Sequence, residues 1–142
     1  MATFAKARIE AIMKSAGAER ISAKAIVRMD ELCAGFGNEV SKTAINLAGT
    51  AGRKTVQADD IKLAVSKIGA PKMSPTGPKS RAFAKARVER VIREAGASRV
   101  SADAVDYLNS QLESYCYTLA KGAIDIARHA KRKTLKDTDI MP

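Results

Sequence analysis

Between Ser22 and about Ala51 the apolar side chains fall at Ala25, Met29, Leu32, Cys33, Phe36, Val40, Ala44, Leu47, Ala48 and Ala51. Steps of three and four put them on one stripe of a 3.6-residue helix. Ser22 suits the N-cap, since its hydroxyl can accept from an otherwise unpaired backbone N–H. Gly52 suits the stop. At 1.5 Å per residue such a helix is a rod of roughly 43 Å. Short flanking elements cannot cover a stripe of that length. A second rod is needed, and the chain supplies one from Ser101 to Ala130.

The second rod belongs to an internal repeat. Shifted by 79, the sequence lies over itself without a gap, and roughly 23 of 60 aligned positions are identical. Phe4-Ala5-Lys6-Ala7-Arg8 matches Phe83-Ala84-Lys85-Ala86-Arg87, and Ala16-Gly17-Ala18 matches Ala95-Gly96-Ala97. Arg53-Lys54-Thr55 matches Arg132-Lys133-Thr134, and Asp60-Ile61 matches Asp139-Ile140. Such self-similarity is duplication and decides the architecture.

Each unit reads as short helix, turn, long helix, turn, short helix. The first helix is expected near Phe4, with Thr3 as cap. Its stripe is Ala5, Ile9, Ile12, Met13 and Ala16, and in the second copy Ala84, Val88, Val91, Ile92 and Ala95. Gly17 and Gly96 end it, where a left-handed backbone conformation is cheap only for glycine. Thr55-Val56 and Thr134-Leu135 suit a short extended bridge. A third helix then opens with Asp59 and Asp60, which its dipole favours, and runs through Ile68. In the second unit it is expected to be cut short, from Asp137 to Met141. Gly35 and Gly37 each cost about 1 kcal/mol in a helix interior. They either break the rod or let another backbone approach. The uninterrupted second copy favours a close crossing near Gly37 and Cys116.

The units are expected at 1–68 and 82–142. Between them Gly69 to Arg81 holds Pro71, Pro75, Pro78 and Gly77. This linker spans at most about 45 Å extended, and a tether of that reach gives an effective concentration of millimolar order. Pairing within the chain should therefore beat pairing between chains.

Composition narrows the function. A formal net charge of +10 over 142 residues points to a polyanionic partner or a basic soluble surface. Without Trp, and with three Phe and three Tyr, the core must be aliphatic and Ala-rich. Cys33 and Cys116 read as two buried free thiols. One His and no Cys pair at ligand spacing argue against a metal site. No apolar run of membrane-spanning length and no signal peptide is apparent, so a soluble intracellular protein is expected. There is no glycine-rich phosphate loop, no paired carboxylates and no nucleophile beside a base. An enzyme, a cofactor and a small-molecule substrate are therefore not expected.

Ala-Gly-Ala-Glu-Arg-Ile-Ser at 16–22, Ala-Gly-Arg-Lys-Thr-Val at 51–56 and Ala-Asp-Asp-Ile-Lys-Leu-Ala-Val at 58–65 resemble an archaeal histone. Ala-Gly-Ala-Ser-Arg-Val-Ser at 95–101 and Arg-His-Ala-Lys-Arg-Lys-Thr-Leu at 128–135 repeat the likeness. The whole resembles a histone doublet: all-α, two histone folds fused head to tail. The resemblance implies a handshake of the long helices, a covalent pseudodimer, and double-stranded DNA bound at three places. Two end sites would each join the first loop of one unit to the second loop of the other. They would combine Arg20 with Lys133 and Thr134, and Arg99 with Lys54 and Thr55. Lys and Thr can donate to phosphate oxygens, and Arg can enter a narrowed minor groove without reading sequence.

The central site would lie at the paired starts of the first helices, near Lys6, Arg8, Lys85 and Arg87, where backbone N–H groups can also hold phosphate. Lys14, Arg93 and Arg90 are further basic positions on these helices, as well suited to solvation as to contact. Arg53 and Arg132 could hold phosphate too; the resemblance implies instead that they pair with Asp60 and Asp139. It also implies stacking of doublets or other histones end to end, through Ile126, His129 and Asp139 on one face. The other face carries Leu47, Thr50, Asp60 and Leu63. Because the faces differ, weak or one-sided stacking is expected.

The implied function is sequence-independent wrapping and compaction of DNA in a cytoplasmic nucleoid. A histone-fold subunit of a transcription or replication complex is the alternative. The chain starts just before its first helix, so no long basic arm is expected.

Overall fold

The computed structural model describes residues 3–68 and 83–141; the linker expected over 69–81 lies outside the described residues. The first unit comprises α1 (Lys6–Ser15), β1 (Arg20–Ile21), α2 (Ala23–Thr50), β2 (Thr55–Val56) and α3 (Ala58–Ile68). The second comprises α4 (Lys85–Glu94), β3 (Arg99–Val100), α5 (Ala102–His129), β4 (Thr134–Leu135) and a 3₁₀ turn, Asp137–Asp139.

Both rods are continuous for 28 residues. Each starts on its serine: Ser22 Oγ accepts from the Ala25 N–H at 3.1 Å, and Ser101 Oγ from Ala104 at 3.2 Å. The short helices stop at Gly17 (φ 118°) and Gly96 (φ 122°), where a side chain would be strained. Thr3 is not the cap of α1. That helix begins at Lys6 after Ala5, without a side-chain cap. The Thr3 and Phe4 N–H groups instead donate to the Asp30 carboxylate on α2, at 2.9 and 2.8 Å. In the second unit Asn109 stands in for Asp30, accepting from the Phe83 N–H and donating to its carbonyl. A carboxylate or carboxamide 26 residues away thus pins the start of each first helix onto its own rod.

The units embrace around one core. Each first helix packs on the other unit's rod, α1 on α5 and α4 on α2, and α3 lies across both α2 and α5. Positions 79 apart meet on a pseudo-twofold axis. Phe4 faces Phe83 with ring centroids 4.4 Å apart, and Phe36 stacks on Tyr115 at 4.2 Å. All four rings are buried.

The close crossing expected near Gly37 is present, with a different partner. A Cβ on Gly37 would lie 3.2 Å from Val91 Cγ1 and 3.4 Å from Leu112 Cδ2, whereas one on Gly35 would meet nothing. Side chains, not backbone, fill the space. Leu112 is the repeat equivalent of Cys33, and Cys116 that of Gly37. The axis therefore makes Gly37–Leu112 and Cys116–Cys33 two copies of one contact. Both thiols are free and buried. Cys116, ahead of burial, pushes the Cys33 thiol well above its ordinary pKa.

Most of the stripe read from the sequence is core. Ala51 and Ala84 are exposed exceptions, and Phe4, Phe83, Val56 and Leu135 join the core from outside the helices. Ser41 is wholly buried on α2, and its hydroxyl has no hydrogen-bond partner among the described residues.

Candidate nucleic-acid interface

Two short parallel ladders close the ends of the molecule. β1 pairs with β4, setting Arg20 opposite Thr134 and Ile21 opposite Leu135. β2 pairs with β3, setting Thr55 opposite Arg99 and Val56 opposite Val100. Each ladder joins the first loop of one unit to the second loop of the other. Their apolar members face the core while Arg20, Arg99, Lys54 and Lys133 stay exposed. Backbone bonds extend the first ladder at both sides, from the Arg20 N–H to the Lys133 carbonyl (3.3 Å) and from the Ser22 N–H to Leu135 (3.0 Å).

Arg53 and Arg132 hold these loops in shape. Arg53 grips Asp60 with two parallel bonds of 2.8 Å and donates to the Thr55 carbonyl at 3.1 Å. Arg132 grips Asp139 at 2.8 and 2.7 Å and donates to the Thr134 carbonyl at 3.2 Å. Each carboxylate also accepts a backbone N–H, from Gln57 or Lys136. Both aspartates are buried. The guanidinium beside each holds its carboxyl below the usual range, against the opposing effect of burial. In return Asp60 and Asp139 raise the pKa of Arg53 and Arg132. Forks committed this way position Thr55 and Thr134.

The central group lies at the axis. Ala5 and Ala84 cap the first helices without a side-chain bond. The Arg8 and Arg87 N–H groups bond back to the cap carbonyls, and a helix start leaves its first N–H groups to solvent or an anion. Lys6, Lys85 and Arg87 surround them and are exposed. Arg87 reaches across the axis and donates to the Thr3 carbonyl at 3.0 Å, while Lys85 pairs with Asp106 at 3.4 Å. Further along, Lys14 pairs with Glu10 at 3.4 Å, and Arg93 with Glu89 at 2.7 Å. Arg93 also donates to the Ser98 carbonyl, which ties α4 to its own loop. Arg90 is exposed.

The first helices link the three groups. α1 starts where Phe4 meets Phe83 and delivers the chain to Arg20; α4 starts there too and delivers it to Arg99. Each of these helices is about 15 Å long, so each end group is about one short helix from the axis.

Leu47 is half-buried, and Thr50, Leu63, Ile126 and His129 are exposed at the proposed stacking faces. Asp60 and Asp139 are taken by their arginines. Two cations at the ends were not singled out from the sequence, Arg128 and Lys131. Arg128 comes within 3.9 Å of where a Cβ on Gly17 would lie, and Lys131 has φ 58°. The signal available was their replacement of Gly49 and Gly52 in the repeat. Among the described residues no group of three or more His, Cys, Asp or Glu is placed to hold a metal. No described helix is long and apolar enough to cross a membrane.

Comparison with known proteins places this geometry in a family. The family described as histone-like transcription factor (CBF/NF-Y) and archaeal histone matches twice, over residues 2–65 and 81–141. A HAN1 archaeal histone from Thermococcus zilligii is 49% identical over 55 residues, which are 39% of this chain and 82% of that protein. Probable archaeal histone 3 of Methanocaldococcus jannaschii is 43% identical over 51 residues, 36% of this chain and 76% of that protein. The crystal structure of the histone from Methanopyrus kandleri superposes with a TM-score of 0.79 at 25% identity, covering 96% of this chain and 90% of that one. With the fold present twice in one polypeptide and clasped about its own axis, the chain belongs to the archaeal histone family as a doublet.

Proposed function

We propose that the doublet binds and wraps double-stranded DNA without reading sequence, as a compacting protein of a cytoplasmic nucleoid. The observation that carries this is the pair of parallel ladders. They bring Arg20 beside Lys133-Thr134 and Arg99 beside Lys54-Thr55, once at each end. An exposed arginine beside a lysine and a threonine hydroxyl suits a phosphate pair flanking a minor groove. The helix starts with Lys6, Lys85 and Arg87 supply a third grip between them. Lys14, Arg90 and Arg93 add positive potential along the same helices. The forks Arg53–Asp60 and Arg132–Asp139, with their aspartates buried and their arginines half-buried, shape the grips rather than touch the duplex.

Residues 1–68 and 82–142 act as the two halves, joined by 69–81. Contact between doublets uses Leu47, Thr50 and Leu63 on one face and Ile126 and His129 on the other. Since the faces differ, assemblies stay short.

The test is a gel-shift titration on random-sequence duplex at two salt concentrations. With about six phosphates neutralised, log affinity should fall with log salt with a slope of about −5. Binding that is weak and indifferent to salt overturns the reading in favour of a partner-binding component of a transcription or replication complex.

A further inference from the structure

The two ends differ in a way the duplication does not require. Lys131 occupies the position of Gly52 in the same helix-ending turn. In both turns the N–H of this residue bonds back three residues, Lys131 to Arg128 and Gly52 to Gly49, at 2.8 and 2.9 Å. The next N–H bonds back five, Arg132 to Ala127 and Arg53 to Ala48, both at 2.9 Å. This turn demands a left-handed residue, and φ is 74° at Gly52 and 58° at Lys131. Glycine takes that conformation without strain; lysine does not. A strained residue in an otherwise conventional cap points to a use for its side chain. Lys131 is exposed, and it takes part in none of the ion pairs among the described residues.

Arg128 supplies the second difference, since its equivalent is Gly49. Its guanidinium lies over the Gly17 turn of the other unit, lining a small cleft of about 110 Å³ with Gly17, Ala18, Glu19 and Lys133. It too has no ion-pair partner among the described residues. At this end Arg20, Arg128, Lys131, Arg132, Lys133 and Lys136 stand against Glu19, Asp137 and Asp139. At the other end Arg99, Arg53 and Lys54 stand against Asp59 and Asp60.

Building on the DNA-binding reading, we infer that the doublet grips a duplex unequally. The β1–β4 end is the firm anchor, with Arg128 and Lys131 as phosphate-binding residues additional to Arg20 and Lys133. The β2–β3 end is the looser one, from which DNA is released first. The track is therefore polar, as two identical subunits could not make it.

Lys131→Gly separates this role from a structural one, because the two predict opposite signs. Glycine relieves the backbone, so the variant should melt at a higher temperature than wild type. The same variant should bind duplex more weakly, with a salt slope shallower by about 0.9, one phosphate contact. Arg128→Ala added to it should take the loss to about two contacts. The reciprocal Gly52→Lys should lower the melting temperature and steepen the slope. A Lys131→Gly protein that is more stable yet binds with the wild-type slope overturns the inference, and so does a Gly52→Lys protein with no gain in binding. Either result leaves DNA binding itself standing. A wild-type protein without salt-dependent duplex binding overturns both readings.

Discussion

Phe36 and Tyr115, 79 positions apart, stack face to face with centroids 4.2 Å apart and planes 5° from parallel. Residues that are copies of each other meet in this way only on the axis relating the copies. A crossing of the rods off that axis then occurs twice, and Gly37–Leu112 and Cys116–Cys33 are its two copies. The pairing also makes small residues there necessary, because two rods approach within side-chain reach.

Gly35 and Gly37 should therefore respond oppositely to alanine. Relief of helix-interior glycine is worth about 1 kcal/mol. Gly35→Ala meets nothing within 4 Å and should collect that gain. Gly37→Ala sets a methyl 3.2 Å from Val91 Cγ1 and 3.4 Å from Leu112 Cδ2, both buried, so packed side chains must yield to it. Overpacking costs about 1–3 kcal/mol and should cancel or exceed the gain. Urea unfolding of the two variants measures the difference directly.

Ser41 is the repeat equivalent of Ala120, and both are buried. With no partner for the hydroxyl among the described residues, folding strips it of water without return. Ser41→Ala should stabilise the protein by about 1 kcal/mol, seen as a rise of several degrees in Tm. A fall would mean that an ordered water satisfies the hydroxyl.

Much of the architecture was legible because duplication doubles each weak signal. Ser22 with Ser101, and Gly17 with Gly96, mark the same boundaries twice. Asp30 was not legible. An acidic residue within an amphipathic helix reads as solvated, and only its neighbours in space make it an anchor for Thr3 and Phe4. That capture also displaces Thr3 from the expected cap. The juxtaposition of Arg20 with Thr134 followed from family likeness alone, since no periodicity relates loops 114 positions apart. Lys131 was legible only through the repeat, as the residue standing where Gly52 stops the first rod; its left-handed conformation is a property of backbone geometry, which composition does not carry.

The two Arg–Asp forks should set the acid limit of the fold. Asp60 and Asp139 are held below their ordinary range, first by Arg53 and Arg132. Depressed carboxyls contribute stability that is fully present above the unfolded aspartate value of about 3.9. It is lost as pH falls through their lower folded values. Tm should be insensitive to these groups above about pH 5 and drop below about pH 4. In Asp60→Asn/Asp139→Asn, Tm should start lower and fall less steeply over that acidic range.

Arg20 and Arg53 lie in loops of the same kind of end site, yet the structure gives them separate work. Arg20 and Arg99 are exposed, so Arg20→Ala/Arg99→Ala should leave stability within about 0.5 kcal/mol per site. On duplex DNA the pair should flatten the salt slope by about 2, from two lost contacts, and reduce compaction. Arg53→Lys keeps its charge but cannot reproduce the two-pronged bond to Asp60. It should lower Tm while leaving the salt slope where it was. Thermal melts beside salt-dependent gel shifts resolve the two patterns. Normal binding and bending of DNA by Arg20→Ala/Arg99→Ala would show that these arginines are not the grips. A flattened slope in Arg53→Lys would move the phosphate contact onto the fork itself.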